Sequence, residues 1–215
     1  MLQGTFIRRI NRFLCIVRVG DRVEHVHVHD PGKIPLLVGG KNVILLRVDS
    51  TNRKTMFDLL AFMHNGEWIF SHSGYHSKIF EQILRMKLFD IYGSIRKEII
   101  IDDSRIDFAV NSTLIEVKGC TWIKDDVGLF PDSPTLRGRK HIKVLAKYVS
   151  RGGRAYVVFL VFSKRARYVT IAKDVDRNLY EEVVNAAKTG VNFVGFRLMF
   201  SDGAVYYLGR IPFRI

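Results

Sequence analysis

Two neighbouring segments of the sequence carry the residues best suited to chemistry. Asp107 lies in the run 105–110, and after a short turn the run 114–118 carries Glu116 and Lys118. Side chains alternate along a strand, so Glu116 and Lys118 share one face, and a hairpin between the two runs places Asp107 beside Glu116. Two adjacent carboxylates repel each other unless a cation lies between them, which predicts a site for Mg²⁺ or Mn²⁺.

This arrangement has the form of a magnesium-dependent phosphodiesterase site. Asp107 and Glu116 would hold the ion together with the backbone carbonyl of Val117, and Lys118 would stand beside the attacking water. Glu81, on a predicted helix upstream, is a candidate third carboxylate that acts on the metal directly or through water. A plain alternative is open: Glu-Val-Lys is common on solvated strand edges, Asp107 could be a turn residue, and Glu81 could be an exposed helix glutamate.

A strongly basic stretch indicates a polyanionic partner. The 215-residue chain has 34 Lys and Arg against 21 Asp and Glu, a net charge of +13. No carboxylate occurs between Asp132 and Asp174, whereas eleven of the basic residues do. A one-sign block of this kind on structured chain is typical of a nucleic-acid-binding surface. We therefore predict a nucleic acid as the partner; the alternative is that the basic charge serves solubility alone.

Helical spacing places several of these cations on one stripe, opposite an apolar face, and the helix N-terminus adds its own attraction for phosphate. The alternative is a plain solvated helix face, which the lack of acidic residues in this stretch disfavours. The residues predicted to contact nucleic acid are Arg137, Arg139, Lys140, His141, Lys143, Lys147 and Arg151 on this helix, and Arg8, Arg9 and Arg12 near the start of the chain.

The elements that must position these residues form two parts. The first 70 residues contain five short β-rich runs separated by turn signals, at 13–19, 22–29, 43–48, 55–62 and 68–70. Five short strands predict a small barrel of the OB or the SH3-like kind. From residue 71 the pattern predicts helices at 77–88, 137–150 and 177–188, and strands at 97–101, 105–110, 114–118, 155–162 and 193–200. We thus predict a two-domain α/β (α+β) protein, with an OB-like domain at 1–70 and a mixed sheet flanked by helices at 71–215.

Other residues give weaker signals. His25, His27 and His29 alternate along one predicted strand and could form a metal site. Nothing nearby in the sequence supplies a second shell, so we interpret them as surface or nucleic-acid-facing residues. Cys15 and Cys120 form no zinc or disulfide pattern and are interpreted as buried small side chains, which fits a reducing cytoplasm. The start of the chain shows no secretory signal, and no apolar run is long enough to cross a membrane.

Several motifs distributed along the chain occur together in one family. They are Arg8-Arg9-Ile-Asn11-Arg12-Phe13, His27 with Pro31-Gly32, Ser104-Arg105-Ile-Asp107-Phe108, Ile115-Glu116-Val117-Lys118, and the stretch from Phe130-Pro131-Asp132 to Lys140-His141. In these motifs the sequence resembles the sugar fermentation stimulation protein A family. The resemblance implies an OB-like barrel joined to a domain like the PD-(D/E)XK nucleases, with Asp107, Glu116 and Lys118 as its triad and Glu81 as the helix carboxylate.

The resemblance also implies non-specific DNA binding and a role in regulating sugar metabolism. Two positions depart from the family pattern: His29-Asp30-Pro31-Gly32 replaces a Pro-Asn-Thr/Ser-Gly motif, and Leu136 stands where the family has Glu. We predict a non-specific DNA-binding protein with a nuclease-like divalent-metal site. The alternative is an active metal-dependent endonuclease or structure-selective nuclease.

Overall fold

The computed structural model describes residues 1–49 and 53–215. Its N-terminal part consists of β1 (Leu2–Asn11), β2 (Leu14–Val19), β3 (Arg22–His27), β4 (Asn42–Arg47), β5 (Phe57–His64) and β6 (Glu67–Phe70). Neighbouring strands pair in the order β1, β2, β3, β5, β4 and back to β1, so that five strands close into a barrel. This closure confirms the predicted OB-like barrel.

Strand β1 was not predicted, and it takes the place in the barrel that the sequence suggested for β6. Only Phe6 among its ten residues is buried, and charged residues interrupt the apolar alternation. Strand β6 instead pairs with β5 and, through Trp68 and Phe200, connects the barrel to the second part of the chain. The buried apolar residues of both parts form one continuous core.

The second part contains three helices, α1 (His76–Arg85), α2 (Leu136–Ser150) and α3 (Arg177–Thr189). Its strands are β7 (Ile95–Ile101), β8 (Ser104–Val110), β9 (Thr113–Cys120), β10 (Trp122–Lys124), β11 (Val127–Phe130), β12 (Arg154–Val161), β13 (Tyr168–Ile171), β14 (Asn192–Ser201) and β15 (Ala204–Arg214). Strands β7, β8 and β9 form an antiparallel meander, and β9, β12 and β14 are parallel. This mixed sheet with flanking helices confirms the predicted fold class, although β10, β11, β13 and β15 were not predicted.

Helices cover both faces of the mixed sheet. The ring of Phe80 on α1 lies 5.3 Å from the ring of Phe108 on β8. On the other face, Ile142 of α2 and Leu179 of α3 lie near Val157 of β12. Because side chains alternate along a strand, the residues next to Phe108 in β8 face α2. Among the described residues, no helix is long and apolar enough to span a bilayer.

The close approach of α1 to β9 depends on Gly119. A Cβ atom at this position would lie 2.0 Å from Cε1 of the partly buried His76 ring. We expect Gly119→Ala to reduce the free energy of unfolding by about 1–3 kcal/mol, the usual cost of overpacking, in a urea titration. The clash should be relieved in Gly119→Ala/His76→Ala, so the two effects should be far from additive. Additive effects would contradict this explanation.

Candidate metal centre

The register of β8 and β9 determines which side chains meet. Phe108 pairs with Ile115 in this antiparallel hairpin, which sets Asp107 opposite Glu116. Oδ2 of Asp107 also accepts a hydrogen bond of 2.7 Å from the backbone N–H of Val117. The structure therefore brings Asp107, Glu116 and Lys118 together on the face of the sheet that α2 covers.

Glu116 is kept ionised, and one of its two carboxylate oxygens already accepts two hydrogen bonds. Its Oε1 accepts hydrogen bonds from Nζ of Lys118 and from Nδ1 of His141 on α2. Burial raises the pKa of Glu116, but the charge of Lys118 and the contact with His141 outweigh it, so the pKa lies below its usual value. Its Oε2 is buried and has no hydrogen-bond partner among the described residues.

The ionised form of Asp107 is disfavoured by its surroundings. Burial, followed by the negative charge of Glu116, raises the pKa of Asp107 to about 6, although the Val117 N–H and Lys118 act in the opposite direction. Lys118 therefore does not neutralise the pair completely. An unpartnered buried oxygen beside a carboxyl with a raised pKa is a place where a divalent cation would be stabilised. Carboxylate oxygens are the ligands that Mg²⁺, Mn²⁺ and Ca²⁺ prefer.

Glu81 does not join this cluster, which corrects the prediction of a third carboxylate. Its oxygens form ion pairs of 2.7 Å with Arg85 and with Lys97 on β7. Lys97 pairs across the sheet with Phe108, and so Glu81 lies on the α1 face, opposite the face of Asp107. Periodicity had placed Glu81 at the rim of the apolar stripe of its helix, but it could not show which face of the sheet that helix covers.

The lysines of α2 have acidic partners, contrary to the sequence argument. Lys140 and Lys147 pair with Asp103 and Asp102 in the turn between β7 and β8. Lys143 lies 3.1 Å from Glu182 on α3. The segment between Asp132 and Asp174 contains no acidic residue, but acidic residues of other elements lie next to it in the structure. These lysines remain exposed to solvent.

Three other residues predicted to contact nucleic acid have structural roles. His141 is 4% exposed and contacts Glu116, so it cannot reach a phosphate on the surface. Arg9 donates hydrogen bonds to the backbone carbonyls of Arg12, Asp30 and Gly32, and so holds the loop that follows β3. Arg139 is partly buried 3.7 Å from Asp176. Among the arginines predicted to contact nucleic acid, Arg8, Arg12, Arg137 and Arg151 are exposed and have no acidic partner in the described chain.

A cleft of about 160 Å³ lies between the loop that follows β3 and the segment that leads into α2. It is lined by Asp30 and Asp132 and by the residues that end β9. Burial, and then the charge of Asp132, raises the pKa of Asp30 to about 6. Asp132 also accepts a hydrogen bond of 2.7 Å from the N–H of Ile34, and thereby connects the barrel to the second part of the chain.

The sequence reading missed a second cluster, in the barrel. Strand β3 ends at His27, and the next residues bring His29 to Asp58 at the start of β5 and to His72 after β6. His25, in contrast, stays exposed on β3. The grouping of the three histidines by strand alternation was therefore wrong for His29. Asp58 and His72 are separated from it by 29 and 43 residues, and no local spacing signal connects them.

Comparison with known proteins yields matches along nearly the whole chain. A model of the SfsA N-terminal OB domain matches residues 7–71, and a model of the sugar fermentation stimulation protein RE domain matches residues 74–204. A sugar fermentation stimulation protein homolog of Thermotoga neapolitana is 39% identical over 211 residues, which are 98% of this chain and 94% of the relative. A homolog of Methanothermobacter thermautotrophicus is 37% identical over 224 residues, with 99% and 93% coverage.

A solved structure, described as Pyrococcus furiosus SfsA in complex with Ca²⁺, has the same fold. It covers 100% of this chain, which in turn covers 96% of that one, with a TM-score of 0.92 and 25% sequence identity. Both the barrel and the mixed sheet are thus shared with proteins of one kind, and the chain belongs to the sugar fermentation stimulation protein family.

Proposed function

We propose that this protein binds DNA without sequence preference and holds Mg²⁺ or Mn²⁺ between Asp107 and Glu116. The observation that carries the metal site is the unpartnered, buried Oε2 of Glu116 beside an Asp107 whose pKa is raised to about 6. The Pyrococcus furiosus relative is described as a complex with Ca²⁺, a hard cation that also takes oxygen ligands. The Val117 carbonyl is the proposed third ligand.

A second candidate function is hydrolysis of the DNA backbone at this site. The observation that favours it is Lys118, whose ammonium contacts Glu116 and is largely shielded from solvent. A bound divalent ion would lower the pKa of a water molecule and neutralise charge on the phosphate. Lys118 would orient that water, and His141 would hold Glu116 in position from α2. The regulatory role that the family resemblance implies stays part of this proposal, as does the cytoplasmic location that the two cysteines favour.

One experiment tests both functions. The purified protein is titrated with Mg²⁺ and Mn²⁺ in the presence of single-stranded, duplex and branched DNA, and binding and cleavage are scored separately. DNA binding together with DNA cleavage supports the nuclease. DNA binding without cleavage leaves a DNA-binding protein with a proposed metal site. If no DNA is bound at low salt, DNA binding and DNA cleavage are both wrong, and only the proposed metal site is left.

The ion pairs of α2 lead to a prediction about the DNA-binding surface. Asp102 and Asp103 compete with phosphate for Lys147 and Lys140. We expect Asp102→Asn/Asp103→Asn to strengthen binding to all DNA sequences alike, measured by fluorescence anisotropy. Lys140→Ala/Lys143→Ala/Lys147→Ala should weaken binding equally on all sequences. If the wild type neutralises about five phosphates, log K should fall against log salt with a slope of roughly −4 to −5.

The matched control has the same change in net charge at a distance from α2. Asp21 and Asp125 are exposed in other turns of the chain. Asp21→Asn/Asp125→Asn should therefore raise the affinity for DNA much less than the pair at 102 and 103. Equal gains from both double variants would show that overall charge, and not the α2 surface, governs binding.

A further inference from the structure

The barrel contains a cluster with the composition of a transition-metal site. Nε2 of His29 lies 2.9 Å from Oδ2 of Asp58, and Nε2 of His72 lies 3.4 Å from the same oxygen. One ligand atom from each of the three residues falls within 4.8 Å of the others. Asp58 and His72 are buried, whereas the side chain of His29 is 29% exposed, so the cluster opens to solvent on one side.

The spacing of these atoms already matches that of ligands around one ion. Zn²⁺ binds imidazole nitrogen at about 2.0–2.1 Å and carboxylate oxygen at about 2.0–2.2 Å. Two such ligands lie roughly 3.0–3.4 Å apart when the angle between the bonds is roughly 90–109°. The two observed N···O distances, 2.9 and 3.4 Å, cover this interval. The rings of His29 and His72 stack with their centres 3.8 Å apart, so an ion could enter once the rings turn until both Nε2 atoms face it.

The charge of Asp58 is balanced by a cation that can be exchanged. The guanidinium group of Arg53 donates hydrogen bonds to both oxygens of Asp58. A divalent ion in its place would replace one counter-charge by another and leave no carboxylate buried and unpaired. The side chain of Arg53 is 27% exposed, so it has a way out to solvent.

Metal binding at Nε2 would move the ring proton to Nδ1, on the opposite edge of each imidazole ring, and there is space for a proton at these two atoms. Nδ1 of His72 is buried and has no hydrogen-bond partner among the described residues. A Cβ at the neighbouring Gly74 would lie 3.3 Å from this nitrogen, a tight contact, and 3.7 Å from Nδ1 of His29, so glycine keeps space open beside both atoms. A tautomer with the proton on Nδ1 frees Nε2 to act as a ligand.

We propose that His29, Asp58 and His72 bind a divalent ion of the Zn²⁺, Co²⁺ or Ni²⁺ class, and that Arg53 competes with this ion for Asp58. Imidazole nitrogen is a favoured ligand of these ions, whereas Mg²⁺ and Ca²⁺ take oxygen. The site is therefore chemically different from the carboxylate pair of Asp107 and Glu116. It requires neither DNA binding nor DNA cleavage by the protein.

The test is a titration of the full-length, metal-free protein with Co²⁺ and Zn²⁺, followed by visible absorption of Co²⁺ and by calorimetry. Excess Mg²⁺ is present throughout to occupy the carboxylate pair. In His29→Gln and in Asp58→Asn the affinity for Co²⁺ and Zn²⁺ should fall by more than roughly 10–100-fold. That range is the usual effect of losing a residue that only hydrogen-bonds to a metal ligand. Arg53→Ala should gain about tenfold or more, because a competing charge is removed. His25→Gln, an exposed histidine on β3, is the matched control.

Each outcome decides for or against the site. No binding of Co²⁺ or Zn²⁺ by the wild type, equal binding by His29→Gln, or weaker binding by Arg53→Ala would overturn the assignment. Asp58 is buried, so its variant is first checked for folding by circular dichroism. If it fails to fold, His29→Gln and Arg53→Ala carry the test, since both positions are partly exposed.

Discussion

Replacement of Asp107 by asparagine is expected to abolish divalent-metal binding and, at the same time, to stabilise the metal-free protein at pH 8. The variant loses one of the two proposed carboxylate ligands, so the affinity for Mg²⁺ or Mn²⁺ should fall by at least ~100-fold in calorimetry. The asparagine side chain can still accept the hydrogen bond from the Val117 N–H, which keeps the local backbone in place. Its amide group can also donate to the unpartnered Oε2 of Glu116.

The stability effect follows from the raised pKa. Burial and the charge of Glu116 raise the pKa of Asp107 to about 6, from an ordinary value near 4. The folded state thus holds this proton more tightly than the unfolded state, and stability is lost as the pH rises from about 4 to about 6. At pH 8 the ionised carboxyl destabilises the metal-free fold by about 1–3 kcal/mol, which Asp107→Asn should recover. At pH 4 the two proteins should be nearly equal.

The measurement is urea unfolding in a metal chelator at pH 4 and pH 8. Asp103→Asn, an exposed acid in the turn before β8, is the control and should leave metal affinity unchanged. The wild type should also bind Mg²⁺ more weakly below about pH 6, because a proton then competes for Asp107. A variant that binds Mg²⁺ as tightly as the wild type would place the ion elsewhere, or exclude it.

The arrangement of Asp107, Glu116 and Lys118 could be predicted from sequence because it depends on local rules. Strand alternation puts Glu116 and Lys118 on one face, and a tight turn leaves little freedom in the pairing of the two strands. Most strands of the barrel could be predicted for the same reason, since all but β1 are short, apolar and separated by turn residues. These features each involve residues within about ten positions of one another.

Features that depend on packing between distant elements could not be predicted. Asp102 and Lys147 are 45 residues apart, and they meet because α2 crosses the end of the β7–β8 hairpin. His141 has a polar side chain next to lysines in sequence, yet the rotation of α2 points it into the core. The His29, Asp58 and His72 cluster exists only because β3 and β5 pair in the closed barrel. Sequence periodicity describes one element at a time and carries no information on such contacts.

Replacement of Lys118 by alanine is expected to separate binding from catalysis, if the site hydrolyses DNA. Lys118 is not a proposed metal ligand, and it lies on the sheet face under α2, away from the exposed lysines of that helix. Metal affinity and DNA affinity should therefore change little. Turnover should fall by ~10²-fold or more, the scale of losing one positioned group that stabilises charge in the transition state. The comparison is made at matched DNA occupancy, with Mg²⁺ and then with Mn²⁺.

The choice of controls determines what this result means. Lys147→Ala removes a lysine that pairs with Asp102 on the surface, so it should weaken DNA binding and leave the rate at full occupancy unchanged. Lys118→Arg keeps the charge but not the compact ammonium group, and it should recover only part of the rate. Glu116 loses a counter-charge in Lys118→Ala, which should raise its pKa and shift the acidic limb of the pH–rate profile upward. Cleavage by Lys118→Ala at the wild-type rate would mean that the activity is a contaminant or that another residue activates the water. Absence of cleavage by the wild type on single-stranded, duplex and branched DNA with both ions would leave Lys118 as the ion-pair partner of Glu116 in a DNA-binding protein.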